Sequence, residues 1–222
     1  MDTKNFVREN AALLNPPLLP EVVLYLAEEA LPLWEKTEEE LQEIGVPPPY
    51  WAFAWAGGQA LARYILDNSS IVSGKSVLDV ASGSGLCAIA AMKAGAREVE
   101  ATEIDALACS AILSNAETNA VALTISEADP IGSDHGWEIV LVGDAFYEKP
   151  LADRLLPWLE MLASRGADIL IGDPGRTYFP KNRFEHLAEY SVPVSRALED
   201  SEIKRTSVWR LTLPEPEASR RS

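Results

Sequence analysis

Cysteine and histidine are scarce in this chain, with two of each among 222 residues. Cys87 and Cys109 fall within predicted helices at no metal-ligand spacing, which argues against a metal site and suits a reducing compartment. Both are expected in the core. His135 and His186 have no metal or catalytic partner at a useful spacing and read as surface residues. Basic residues are also few: 19 Lys and Arg against 34 Asp and Glu leave a net charge of -15 and a pI near 4.5. That surface repels phosphate backbones, so DNA or RNA is not the expected partner; a basic protein surface would be attracted, and acidity also serves solubility. No run is long and apolar enough to cross a bilayer, and no secretory or Arg-rich transit pattern is seen. A cytoplasmic location without a membrane partner is therefore expected. Internal repeats and dividing linkers are missing too. With 47% hydrophobic and 24% charged residues, the chain reads as one α/β domain with its own core, expected as a monomer.

What is present centres on residues 76–105, SVLDVASGSGLCAIAAMKAGAREVEATEID. An apolar strand breaks at Gly83-Ser84-Gly85 and restarts with helical spacing, the form of a βα unit that holds a ligand. The glycines permit a tight turn and close backbone approach, and the N–H groups opening the next helix point at the ligand. Glu103 lies twenty residues past Gly83 at the end of the second strand, where a carboxylate can take both hydroxyls of a ribose. Gly83 to Ala88 also fits G-x-G-x-x-A, the dinucleotide fingerprint. Asp79 separates the two readings. A dinucleotide turn is usually preceded there by apolar residues, because pyrophosphate is anionic, whereas an acid suits a cationic ligand. The sulfonium and ammonium of S-adenosylmethionine (SAM) carry that charge. L-D-V-A-S-G-S-G followed by E-I-D resembles the nucleotide half of the seven-strand SAM-dependent methyltransferases. That resemblance implies that Asp79, Ala81, Gly83, Gly85, Glu103 and Ile104 bind the cofactor, with Ile104 at adenine. Asp105 is expected to cap the following helix.

Strands are predicted at 76–81, 98–103, 123–127, 138–143 and 168–172, and helices at about 86–94, 106–119 and 151–163. This alternation means a Rossmann-like α/β fold, a parallel sheet with right-handed crossovers and helices on both faces. Residues 129–137 form a loop in place of a crossover helix. An antiparallel hairpin, 187–194 with 207–213, brings the sheet to seven strands. Residues 1–70 are expected as a helical cover on the core at 71–222, within one domain. Thr3 caps a first helix, which Asn15-Pro16-Pro17 ends. Val23, Leu24, Leu26, Ala27, Ala30 and Leu31 lie on one side of a second, interrupted at Pro32. Glu38-Glu39-Glu40 belongs to a further helix, either as a solvated face or as an attraction for a basic substrate. Pro47 to Pro49 stiffen the entry to Trp51-Ala-Phe-Ala-Trp55, and Gly57-Gly58-Gln59 opens a helix at 59–66. This segment is expected over the cofactor pocket, with Trp55 near the methionine part and Trp51 and Phe53 in the core. Trp137 either lies against adenine or packs in the core.

Ligands of an open α/β sheet sit at the carboxyl ends of its strands. There the fourth strand runs into Gly143-Asp144-Ala145-Phe146-Tyr147, a D-x-x-Y shared with seven-strand protein-lysine methyltransferases. The N/D-P-P-Y/F of methyltransferases acting on nucleobases or glutamine amides is missing at that strand. P-Y-W-A-F-A-W-A-G-G-Q-A-L-A-R-Y from Pro49 to Tyr64, with Gly172-Asp173-Pro174-Gly175-Arg176, makes the likeness more specific. The chain resembles the family that methylates lysines of the electron transfer flavoprotein β-subunit (ETFβ), over residues 15–213. The related ribosomal protein L11 methyltransferases share the turn and the sheet but carry a distinct amino-terminal domain. The stretch ahead of the first strand leaves less room for one.

The resemblance implies SAM as cofactor, no metal, and a protein substrate: ETFβ, or ribosomal proteins if substrate choice is loose. The reaction is in-line displacement at the methyl by a lysine amine. A free lysine has a pKa of about 10.4, so about one in a thousand is a nucleophile at neutral pH. Desolvation and the neighbouring sulfonium lower that pKa, and positioning supplies most of the acceleration. Asp144 is expected at the cofactor and at the amine, orienting it through its carboxylate or its backbone carbonyl, while Tyr147 shapes the lysine channel. Asp173 and Arg176 share the substrate rim, where Arg176 holds either an acidic patch of the substrate or a structural carboxylate. Two rivals are an NAD-binding oxidoreductase, disfavoured by Asp79 and by the lack of a placed acid/base histidine, and a SAM-binding module without catalysis.

Overall fold

A computed structural model describes residues 3–27, 48–194 and 202–213. In chain order the elements are α1 (Thr3–Glu9), β1 (Ala12–Leu14), β2 (Leu24–Leu26), α2 (Ala56–Asp67), β3 (Ser76–Val80), α3 (Leu86–Lys93), β4 (Glu98–Glu103), α4 (Ala106–Thr118), β5 (Thr124–Glu127), β6 (Ile139–Gly143), α5 (Lys149–Ser164), β7 (Asp168–Asp173), β8 (Phe184–Pro193) and β9 (Ile203–Leu211).

The seven-stranded sheet has the order β5-β4-β3-β6-β7-β9-β8. β5 through β7 are parallel, and β9 runs antiparallel to both β7 and β8. The continuous apolar runs of β3, β6 and β7 follow from burial on both faces. Val77, Ile139, Leu141 and Leu170 point to the face covered by Leu61 and Ile65 of α2 and Ile89 of α3. Leu78, Val80, Val140, Val142, Ile169 and Ile171 point to the other, against Leu155, Leu159 and Leu162 of α5. From β3 the chain winds outward through β4 and β5, then returns to the opposite side for β6 and β7. The carboxyl ends of β3 and β6 therefore flank the crevice where such a sheet takes its ligands. Residues 129–137 make a loop as expected, with Asp129 and Asp134 accepting from the amides of Ile131 and Gly136 at 3.0 and 2.9 Å. The edge hairpin also forms, with longer strands than predicted.

The amino-terminal cover is not wholly helical. In the described part of the predicted second helix, residues 23–27, the chain instead forms the strand β2, paired antiparallel with β1, while Ala30 and Leu31 lie outside the described residues. Two amides on α4 explain the difference. The Tyr25 N–H donates to Asn115 Oδ1 at 2.7 Å, and the Val23 N–H donates to Asn119 Oδ1 at 3.1 Å. Asn119 Nδ2 returns a bond to the Val23 carbonyl at 2.6 Å. An extended segment can exchange such bonds with a neighbour, whereas a helix would spend its amides internally. Asn15 closes the hairpin loop, donating to the carbonyls of Pro20 and Val22 at 3.0 and 2.8 Å. α1 forms as expected, although it ends before Asn15, and its Val7 packs against Leu107, Ala108 and Ala111 of α4. The interruption at Pro32 and the Glu38-Glu39-Glu40 helix lie outside the described residues.

Candidate active site

The turn after β3 is made of left-handed residues: Ala81, Gly83 and Gly85 have φ of 50°, 54° and 80°. Around Gly83 the nearest atom to a would-be Cβ is the Tyr50 carbonyl at 4.0 Å, so its backbone is open to a ligand. Asp79 reaches from the strand to the start of α3, where its Oδ2 accepts from the Ala88 N–H at 3.0 Å. It thereby ties the end of β3 to the first turn of α3. Burial pushes its carboxyl up to about 7, with the charge of Glu103 adding to the effect. Glu103 accepts from the Gly83 N–H at 2.8 Å and from the Ile104 N–H at 3.1 Å. Burial raises its pKa also. Ile104 stands exposed beside it, and Asp105 caps α4 by accepting from the Leu107 N–H at 2.8 Å.

A cavity of about 40 Å³ opens over this turn, lined by Phe53, Trp55, Gly58, Asp79, Gly83 and Gly143 among others. The W-A-F-A-W segment thus closes over the glycine turn, with Trp55 and Asp79 on one cavity. Trp55 is itself held: its Nε1 donates to the Tyr50 carbonyl at 2.9 Å, and its ring lies edge-on to Phe53 at 5.8 Å. A larger cavity of about 370 Å³ lies beyond Phe53 and Trp55, under the β1–β2 hairpin. No titratable side chain lines it among the described residues.

The ends of β6 and β7 complete the rim. Asp144 is a buried, left-handed residue with φ 57°. Its Oδ2 accepts from the Gly57 N–H in the first turn of α2. Its Oδ1 takes both Nε and Nη2 of Arg176, at 2.8 and 2.7 Å. Of the two partners considered for Arg176, a carboxylate of the chain itself is the one seen in this structure. The Arg176 guanidinium carbon also lies 5.9 Å from the centre of the Trp55 ring, within cation–π range. Asp173 is engaged in the turn itself. It is 2% exposed, and its Oδ1 accepts from the N–H groups of Gly175 and Arg176 at 2.6 and 2.8 Å, shaping the turn that carries Arg176. Burial and the nearby charge of Asp144 push its carboxyl up to about 6 against these two N–H bonds and Arg176. Tyr147 faces the Tyr50 ring at 5.9 Å and is partly exposed; burial lifts its hydroxyl to about 12, so it stays protonated.

Trp137 does not join the site. It precedes β6, at the amino edge of the sheet, opposite the rim. Its Nε1 donates to Glu100 at 3.0 Å and its ring packs edge-on against Trp158 at 6.4 Å, so core packing holds it. Three features escaped the sequence reading. Tyr50 sits over Gly83 and against Tyr147, and Phe53 lines the cavity while filling the core. Gly57 and Gly172 touch so closely that a Cβ on either would overlap the carbonyl of the other. The glycine pair opening α2 was the available signal, because close backbone approach is what glycine permits. Cys87 is buried as expected and lines the cavity, while Cys109 is only partly buried.

These residues fit a nucleoside with a cationic amino-acid tail: an open glycine backbone, a buried acid between aromatic walls, and a carboxylate with acceptor capacity left for a diol. A family model described as ribosomal protein L11 methyltransferase matches residues 59–140. The magnesium protoporphyrin IX methyltransferase of Synechocystis PCC 6803, solved with bound SAM, shares the fold at TM-score 0.52 and 16% identity, over 71% of this chain and 80% of that one. The electron transfer flavoprotein beta subunit lysine methyltransferase of Danio rerio is 39% identical over 94% of this chain and 83% of its own length. That of Homo sapiens is 37% identical over 94% of this chain and 81% of its own. Identity above one third, carried across almost the whole chain, exceeds what a shared sheet requires: the chain belongs to the electron transfer flavoprotein beta subunit lysine methyltransferase family.

Proposed function

We propose that this protein transfers methyl groups from SAM to lysine side chains of ETFβ. The observation that carries the reading is the meeting of four motifs on one rim: Trp55 and Asp79 share a cavity, and Asp144, Arg176 and Tyr147 stand beside it. Asp79, Ala81, Gly83 and Gly85 would hold the amino-acid tail of the cofactor, Glu103 its ribose and Ile104 its adenine. SAM supplies a methyl group made electrophilic by its sulfonium. The chain's own residues then have three tasks. Phe53 and Trp55 exclude water. Tyr50 and Tyr147 offer ring faces to the lysine stem and keep the amine in a poorly solvated channel, where loss of its proton is easier. Asp144 fixes the rim at which the amine is presented.

The acidic surface suits a basic substrate face and not a nucleic acid. We place the enzyme in the cytoplasm, as a monomer in one domain, with no metal and no membrane partner. No helix among the described residues is long and apolar enough to cross a membrane. Transfer of labelled methyl from SAM to ETF, beside a ribosomal-protein mixture, tests the reading. Label on the ETFβ band is the expected result. Label confined to the ribosomal mixture would move the substrate to that class, and SAM binding without any transfer would leave a binding module.

A further inference from the structure

Asp144 is the residue a sequence reading takes for the one that handles the amine, yet its carboxylate is already engaged. Oδ1 receives two donors of Arg176 at 2.8 and 2.7 Å, Oδ2 receives the Gly57 N–H, and the residue is 7% exposed. Arg176 is delivered by a turn that Asp173 holds through two amides. The Asp144 N–H donates to the Gly172 carbonyl at 3.0 Å, and Gly172 in turn abuts Gly57. Three chain segments, W-A-G-G-Q, G-D-A-F-Y and G-D-P-G-R, therefore meet at one carboxylate.

We propose that Arg176 is a positioning residue for methyl transfer, and that Asp144 acts through this pair, presenting its main chain to the amine, rather than as a proton acceptor. The inference rests on the lysine methyltransferase reading and specifies how its rim works. A guanidinium does not give up its proton in a protein, so the pair is neutral as a unit. An incoming ammonium would have to displace a cation that is already hydrogen-bonded. A proton placed on Asp144 would leave a mostly buried guanidinium without its counter-charge, which is strongly unfavourable. A non-glycine residue at φ 57° also persists only where its surroundings over-determine it. The Arg176 and Gly57 bonds do so, and they set the direction of the Asp144 carbonyl. Without Arg176 the residue is free to relax to negative φ, which reorients that carbonyl.

The test compares Arg176→Ala, Arg176→Lys, Asp144→Asn, Asp144→Ala and the double Asp144→Ala/Arg176→Ala with wild type. Three readouts are taken: kcat and KM on the protein substrate, affinity for S-adenosylhomocysteine (SAH), and unfolding temperature. Arg176→Ala is expected to lower kcat about 100-fold, the cost of a small misplacement, with SAH affinity and substrate KM held within about threefold. Arg176→Lys keeps the charge but loses the fork, and should lose roughly tenfold. These losses should be the same from pH 7 to about 9.5, and Asp144→Asn should behave likewise, since lysine deprotonation is not the step affected. The double variant should be no worse than the worse single, both in kcat and in unfolding temperature. Near-wild-type kcat in Arg176→Ala would overturn the proposal. So would a double loss equal to the product of the singles, or an Asp144→Asn defect that shrinks about tenfold per pH unit as lysine deprotonates unaided. If wild type methylates neither ETFβ nor ribosomal protein, the enzyme reading fails by itself. Additive unfolding shifts would then still overturn the pairing, and non-additive ones would support it.

Discussion

The two sides of the crevice treat their acids differently. On the β3–β4 side, Asp79 and Glu103 bond to backbone N–H groups, and no basic side chain pairs with either among the described residues. Burial raises both, Asp79 to about 7. On the β6–β7 side, the Arg176 guanidinium neutralises Asp144 directly, while Asp173 accepts from the backbone N–H groups of Gly175 and Arg176 and burial raises it to about 6. Among the described residues, the first side leaves its acids without a counter-charge, whereas the second answers the charge of Asp144 from within. Similar residue types at similar strand ends therefore do opposite work, depending on whether a cation comes with the fold.

The contrast can be broken most strongly through Gly57. In Gly57→Ala the new Cβ would collide with the Gly172 carbonyl and with Asp144 Oδ2. Overpacking of backbone against backbone should cost about 3 kcal/mol, lowering the urea midpoint and abolishing methyl transfer. Retention of full activity would mean that the β6–β7 side tolerates displacement. Glu103→Ala attacks the β3–β4 side alone. Loss of a charged acceptor should weaken SAH by roughly 2 kcal/mol, about thirtyfold, in calorimetry, with the fold intact.

Asp79 makes the contrast visible in pH. Its folded pKa is raised, so below pH 7 the ligand-free site holds a proton that a bound ammonium would expel. SAH affinity should therefore be flat above 7 and fall as pH drops through 7, by about tenfold at pH 6; Asp79→Asn should lack this fall. An unchanged affinity over that range would show that no cation settles beside Asp79. The smallest effect belongs to Trp137→Phe. It removes the bond to Glu100 at the far edge, costing about 1 kcal/mol of stability in thermal melts, while SAH affinity stays within about twofold.

Much of the core was legible in the sequence. β3, β6 and β7 are short apolar runs because both faces are covered, and the five predicted parallel strands agree with the observed ones to within about one residue, while the hairpin strands begin three and four residues earlier than predicted. The glycine turn and Glu103 were legible as well, since their roles depend on backbone conformation and on a spacing of one βα unit. The failures share another cause. Val23 to Ala27 carries a pattern open to helix or strand, and two asparagines some 90 residues away decided for strand. For Trp137 the sequence leaves adenine and the core both open, because residue type does not choose between them and only the sheet shows which edge it occupies.

The linear order of residues determined the parallel sheet, the left-handed turn and the acids on the rim, because each follows from local propensity, short-range spacing or burial pattern. Tertiary structure alone decided which acid is paired with a cation of the chain itself. Asp144 and Arg176 are 32 residues apart, and Asp144 and Gly57 are 87 apart. No periodicity links such positions; their pairing is set by the packing of α2 onto the ends of β6 and β7.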